Sequence, residues 1–315
     1  MSEYLLQQTL SKDAKLSGKT LVWGKKTSVK LRPAPVGQGG RFVRTDLNDC
    51  VIDVDHKNIT KAWRCSKLEN KNGSVSIVEH ALAAMSVLNI DNYDIEIDGG
   101  EMLTFDGSAK PFAEAIMKAG IETQDKPRTF LKILRPVGVD LQDGRKMELL
   151  PTEDNNLSVN FNIDFPHIPV IGKQQANYIH SYDTRPINMP DIVRARTFGT
   201  HGDKMMRLKW LQSLGLKTMY DRFWEYGLIY DSKSAYPINN TDLHFDNECA
   251  LHKALDAVGD LALSGYPIIA QLNCEKTSHH ITHMLLKKLF AVEQNFCLGH
   301  LRKSKNSTKI TFVGI

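Results

Sequence analysis

The chain has no run of 18 uncharged apolar residues, and Met1 to Lys12 carries polar and charged side chains where a signal peptide would place its apolar segment. A membrane span and a secretory leader are therefore not expected, and the cytoplasm is the expected compartment. Only five cysteines occur (Cys50, Cys65, Cys249, Cys274, Cys297), far apart and without a Cys-x-x-Cys pair. That excludes a disulfide framework and a thiolate zinc site as readings, and leaves reduced, mostly buried thiols. Low-complexity segments are absent. Charge of one sign is scarce too: a net +4 and a pI near 8.6 suit a phosphorylated small molecule, but without a clustered basic stripe they do not argue for nucleic acid.

What is present is enough apolar residue for a sizeable core, 42% of 315 positions, and a length that favours two domains over one. An internal likeness supports this division. Leu31-Arg32-Pro33 precedes Phe42-Val43-Arg44-Thr45-Asp46, and Leu149-Leu150-Pro151 precedes Phe161-Asn162-Ile163-Asp164-Phe165, with thirteen positions from proline to aspartate in both. Each copy then reaches a histidine opening an apolar helical stretch, followed by a strand: His80 to Leu88 then Tyr93 to Ile97, and His252 to Leu263 then Pro267 to Leu272. Alternation marks Ser28 to Leu31 and Asp94 to Ile97 as half-buried strands, while Val75 to Leu88 and Pro111 to Ala119 carry helical periodicity.

The expected fold is thus α+β, two similar domains from an internal duplication, over residues 1–125 and 126–315. The junction is expected in the polar stretch Glu122 to Pro127. The second copy is longer by roughly fifty residues, read as an insertion around 172–225, and insertions of that size usually carry function.

On the helix Ala250 to Leu263, His252, Asp256 and Asp260 recur every four residues and share one stripe of an otherwise apolar surface. Imidazole and carboxylate at i and i+4 can converge on one cation, although a capped His–Asp pair fits the same spacing. Glu79-His80 near the start of the other apolar helix is weak alone. Because His80 and His252 occupy equivalent places in the two copies, both could reach one cleft, giving two His and one Asp with a position left for water, the open arrangement of a catalytic zinc. His279, His280 and His283 open the last helix, where a proton donor and an exposed helix end are both reasonable. Arg194-Ala195-Arg196-Thr197-Phe198-Gly199 offers guanidinium and hydroxyl donors for phosphate or an oxyanion, or is simply a loop with two arginines. Phe105 to Ala109 reads as a structural turn ahead of a helix.

Taken together these residues resemble the zinc-dependent UDP-3-O-acyl-N-acetylglucosamine deacetylases of lipid A synthesis. The likeness runs through Leu31 to Pro35, Arg44 to Leu47, Val78-Glu79-His80, Asp106 to Ala109, Arg194 to Gly199 and His252 to Leu261. It implies one zinc ion per chain on His80, His252 and Asp256, with Glu79 as the base acting on water. His279 would protonate the leaving amine and Asp260 would orient it. Thr197 would help hold the oxyanion and Lys253 would contact substrate. Phe198, Phe165 and Lys146 would bind the sugar and nucleotide. It also implies a cleft between two layered domains, an acylated nucleotide sugar as substrate, no nucleic-acid partner and a monomer.

Three departures stand out. Thr20-Leu21-Val22-Trp23-Gly24 replaces the family's Gly-Leu-His-Ser-Gly; Ser278 replaces a glycine before the later histidine, with His280 as a rival acid; and Thr218-Met219-Tyr220-Asp221 replaces small glycines, which would narrow an acyl channel at Met219 and Tyr220. A related amidohydrolase acting on another acylated sugar, and a non-catalytic descendant that binds a nucleotide sugar or a protein, are the alternative readings.

Overall fold

Alternating apolar and polar residues make strand the commonest regular structure among the described residues, and the few helices lie between strands. The computed structural model describes residues 4–183, 188–200, 224–233, 235–239, 241–303 and 310–315. The segment carrying Met219 and Tyr220 lies outside the described residues.

In the first half, β1 (Leu6–Leu10) is followed by β2 (Ala14–Lys19), β3 (Lys26–Pro33), β4 (Gly40–Arg44) and β5 (Cys50–Asp53). A small three-stranded sheet comes next: β6 (Ile59–Thr60), β7 (Lys67–Asn70) and β8 (Gly73–Ser76). Helix α1 (Glu79–Val87), β9 (Tyr93–Ile97), α2 (Lys110–Ala119) and β10 (Ile121–Pro127) complete it. The second half holds β11 (Thr129–Ile133), β12 (Val137–Asp140), β13 (Lys146–Leu150), β14 (Asn156–Phe165) and β15 (Gly172–Ser181). After the short parallel pair β16 (Phe198–Thr200) and β17 (Leu228–Tyr230) come α3 (Glu248–Leu261), β18 (Ile268–Glu275), α4 (His279–Phe290), β19 (Phe296–Lys303) and β20 (Ile310–Gly314).

The two main sheets share an order. The first runs β2-β3-β9-β4-β5, antiparallel except for the parallel pair β4 and β9. The second contains β12-β13-β18-β14-β15, again antiparallel except for β14 and β18, and extends past the opposite half of β18 through β11, β19 and β20. The strands carrying the repeated Leu-x-Pro stretches, β3 and β13, and those carrying Phe42 and Phe161, β4 and β14, therefore occupy matching places. The polar stretch Glu122 to Pro127, where the junction is expected, lies in β10, which pairs antiparallel with β1.

Helices α1 and α3 pack on each other, α2 against α1 and β2, and α4 against α3, β12 and β13. One continuous apolar core spans both halves, from Leu31 and Phe42 to Leu255 and Leu272. Every residue of α1 except Ser86 is buried, which explains why the helix is apolar on all sides. Its small Ala83 allows α3 to come close, and Gly259 completes the fit. The helical pattern from Val75 overreached: Gly73–Ser76 is strand, and Ile77, at φ 60°, turns the chain before α1 begins at Glu79. Valine and isoleucine suit a strand as well as a buried helix, so apolarity alone could not place that boundary. None of the described helices is long and apolar enough to cross a membrane.

Candidate metal centre and acid–base cluster

The α1–α3 crossing brings Glu79 and His80, at the start of one helix, against the stripe His252, Asp256 and Asp260 of the other, with His279 arriving from the first turn of α4. All six are buried. His80, His252 and Asp256 offer ligand atoms within 4.8 Å of one another, a group that could hold a metal ion. His252 Nε2 lies 3.3 Å and His80 Nε2 3.6 Å from Asp256 Oδ1, and the two rings meet nearly edge to face.

A cation fits this group on chemical grounds. His252 Nδ1 sits 3.0 Å from the Ala195 carbonyl oxygen, which can only accept, so Nδ1 carries the proton and Nε2 presents a lone pair. That lone pair faces Asp256 Oδ1, a buried oxygen without a hydrogen-bond donor. Two acceptors face each other in a dry place, which a positive ion would reconcile. The second oxygen of Asp256 is spoken for: Oδ2 accepts from Lys253 Nζ at 2.7 Å and has His279 Nε2 at 3.7 Å.

Beside the ligand group stands a second set. His279 Nδ1 donates to Asp260 Oδ2 at 2.9 Å, and its Nε2 lies 3.9 Å from Glu79 Oε1. Burial opposes a charge on His279, yet Asp260, Asp256 and Glu79 together outweigh it and raise its pKa to about 9. Burial pushes the Glu79 carboxyl up from its ordinary value, while His279 and His80 pull it back. For Asp256, burial is outweighed by His252, Lys253 and His279, so its carboxylate is held well below the usual range. The site thus pairs a carboxylate of raised pKa with an imidazolium of raised pKa, 3.9 Å apart.

A cleft lined by Phe161, Lys253, Asp256, Asp260, Thr277 and His279 opens onto these groups. Beside the ligand group runs the segment Ala195 to Phe198, pinned at three successive residues. The Ala195 carbonyl accepts from His252, Arg196 binds Glu248, and the Thr197 N–H donates to the Gly107 carbonyl at 2.7 Å. Gly107, at φ 83°, has no room for a side chain here, since a Cβ would lie 2.5 Å from the Tyr226 carbonyl oxygen and 2.8 Å from Thr197 Cγ2. The Phe105 to Ala109 turn is structural as expected, and what it holds is Thr197.

The family comparison agrees with this geometry. A family model described as UDP-3-O-acyl N-acetylglycosamine deacetylase matches residues 7–291. The chain belongs to that family. It is 36% identical over 296 residues to the UDP-3-O-acyl-N-acetylglucosamine deacetylase of Photobacterium profundum, covering 92% of each chain. It is also 36% identical over 303 residues to the protein of the same name from Shewanella sp. (strain ANA-3), covering 95% of this chain and 94% of that one.

Within the family frame, the residues expected from sequence divide into those the fold gathers and those it leaves apart. Glu79, His80, His252, Lys253, Asp256, Asp260 and His279 converge. His279 points inward while His280 is exposed, so of the two rivals only His279 faces the cluster. Phe165 and Phe198 pack edge to face at 5.5 Å, and Lys253 Nζ lies 5.8 Å from the Phe198 ring centre, linking the aromatic pair to Asp256. Lys146, exposed at the start of β13, has Glu148 as its ion partner at 3.0 Å rather than a member of the cluster.

Arg196, offered by its sequence as a phosphate or oxyanion donor, is buried and committed to Glu248 and the Asp242 carbonyl. Arg194 is half-exposed and 3.4 Å from Asp191. Where the family's glycine-flanked histidine would stand, Val22 and Trp23 are exposed, and their backbone N–H groups donate to the buried Glu101 carboxylate. Sequence reasoning passed over Ser66, whose N–H donates to Glu79 Oε2 at 3.0 Å and whose hydroxyl meets Asp260 and His283. A lone serine before a short strand carries no periodic signal that could have singled it out.

Proposed function

We propose that this protein is a zinc-dependent hydrolase that removes the N-acetyl group of UDP-3-O-acyl-N-acetylglucosamine, releasing acetate and leaving a free amine. The observation that carries the reading is the convergence of His80, His252 and Asp256 with the buried Glu79 and His279 beside them. A zinc ion held by these three residues supplies, when bound, Lewis acidity and a water acidic enough, with a pKa of about 7, to act at neutral pH.

The remaining work falls to the chain. Glu79 Oε1 takes the proton of the attacking water, and Ser66 holds its other oxygen in place. His279 begins as an imidazolium and gives its Nε2 proton to the departing nitrogen; Asp260, on Nδ1, keeps that ring oriented. The Thr197 hydroxyl and the Lys253 ammonium stabilise charge on the carbonyl oxygen as the carbon becomes tetrahedral. Phe198 and Phe165 give the sugar an apolar wall, and Lys146, exposed at the start of β13, contacts the nucleotide. Atoms balance: water adds OH to the acyl carbon, the C–N bond breaks, and the proton from His279 completes the amine while Glu79 holds the proton from water.

The test is zinc content and deacetylation of UDP-3-O-acyl-N-acetylglucosamine, for the wild type and for Glu79→Ala. About one zinc per chain in both proteins, with turnover lost at least about 100-fold in the variant, is the expected result. A second reading, the same chemistry on another acylated amino sugar, draws on the exposed Val22 and Trp23 in place of a polar pair. Zinc-replete protein that deacetylates a different sugar but not this one would favour it.

A further inference from the structure

One residue outside the assigned set touches both Glu79 and the carboxylate that holds His279. Ser66 is completely buried just before β7, between the elements that carry the chemistry. Its backbone N–H donates to Glu79 Oε2 at 3.0 Å. Its hydroxyl lies against Asp260 Oδ1 and, at 2.7 Å, His283 Nε2.

The proton arrangement follows from what each atom can do. An ionised carboxylate only accepts, so Asp260 receives the His279 Nδ1–H on Oδ2 and the Ser66 O–H on Oδ1. The serine oxygen then has lone pairs free, and His283 must donate to it through Nε2–H. The result is a directed chain, His283 to Ser66 to Asp260, which meets His279 at the same carboxylate.

We propose that Ser66 is a positioning residue that sets the distance between base and acid, with its N–H fixing Glu79 and its hydroxyl fixing Asp260 and thereby the His279 ring. The two contacts are on one rigid residue, so Glu79 and His279 cannot shift independently. His283 is the outer support of the same chain: it is buried, unlike His280 one turn before it, and it has the donor that keeps the Ser66 rotamer pointed at Asp260. Second-layer hydrogen bonds of this kind, in a dry site, hold reacting groups to within a fraction of an ångström, and their loss typically costs about 10–100-fold in activity. This rests on the deacetylase reading for its kinetic half only.

The experiment compares the full chain, loaded with zinc, as wild type, Ser66→Ala, Ser66→Thr and His283→Gln. Kinetics are measured on UDP-3-O-acyl-N-acetylglucosamine alongside zinc content. The downfield NMR resonance of the His279 Nδ1–H, identified by its absence in His279→Gln, is followed in the same proteins. The expected result is a kcat reduced about 10–100-fold in Ser66→Ala with KM within about twofold and zinc unchanged, recovery toward wild type in Ser66→Thr, and a smaller loss in His283→Gln. The resonance should be sharp in the wild type and in Ser66→Thr and broadened in Ser66→Ala.

A Ser66→Ala protein with wild-type kcat and an unchanged resonance overturns the proposal, as does a wild type without that resonance. If the wild type does not turn over this substrate, the functional reading fails, and the resonance alone decides the role of Ser66.

Discussion

Gly259 and Glu79 meet backbone to backbone: a Cβ on Gly259 would lie 2.1 Å from the Glu79 carbonyl oxygen and 3.2 Å from the Ala83 amide nitrogen. No rotamer change can relieve a contact with main chain, so Gly259→Ala must push α1 and α3 apart. Overpacking of this kind costs about 1–3 kcal/mol or more. We expect a thermal midpoint lowered by several degrees, together with weaker zinc retention because His80 moves with α1. Calorimetry and metal analysis of that variant check both.

The pH profile of turnover should be set on its alkaline side by His279. In the proposed mechanism its proton is the one delivered, its pKa is raised to about 9, and activity should fall as pH rises through that region. Asp260→Asn removes one of the carboxylates that hold the proton on, so the alkaline limb should move to lower pH. A limb that stays in place in Asp260→Asn would contradict His279 as the group titrating there.

Arg196 offers a test of structure against substrate binding. Its guanidinium neutralises Glu248, whose side chain is fully buried, and breaking such a pair costs about 3–5 kcal/mol. Arg196→Leu should therefore lower the denaturant midpoint sharply. A variant of unchanged stability with an elevated KM would instead return Arg196 to the substrate.

His180 makes the fold itself sensitive to acid. It is buried between Asn89 Oδ1 and the Tyr178 hydroxyl, and burial, with Arg128 nearby, depresses its pKa to about 3. The unfolded chain takes up a proton near pH 6.5 that the folded chain refuses, so this contribution to stability is fully present above that pH and is lost as pH falls toward 3. The slope contributed approaches about 1.4 kcal/mol per pH unit. Denaturant midpoints at about pH 7.5 and about pH 5, on either side of the unfolded histidine's pKa, should differ less in His180→Gln than in the wild type.

What the sequence alone makes legible of this site lies in period and pairing. The four-residue spacing of His252, Asp256 and Asp260 on an apolar helix has one geometric meaning, a polar stripe facing something polar, and the fold supplies it. Glu79-His80 became readable only through its partner stretch in the other half. Ser66, Glu248 and the commitment of Arg196 were not readable, because each depends on which side chain arrives from a distant part of the chain, 194 positions away for Ser66 and Asp260 and 52 for Arg196 and Glu248. Lys146 was placed by resemblance alone, and its strand carries it to an exposed place beside Glu148.

The shared strand order leaves one consequence for the site. Counted from the two histidines, the positions four and eight further on are Ala84 and Leu88 along α1 but Asp256 and Asp260 on α3. Two identical subunits meeting on an axis must show the same residues twice, which would crowd carboxylates in pairs around one ion or supply none. Two halves joined in one polypeptide are under no such constraint. One helix is free to be hydrocarbon where the other is oxygen, so the crossing gathers one unequal set of ligand atoms, two imidazoles and a single carboxylate, instead of a mirrored one.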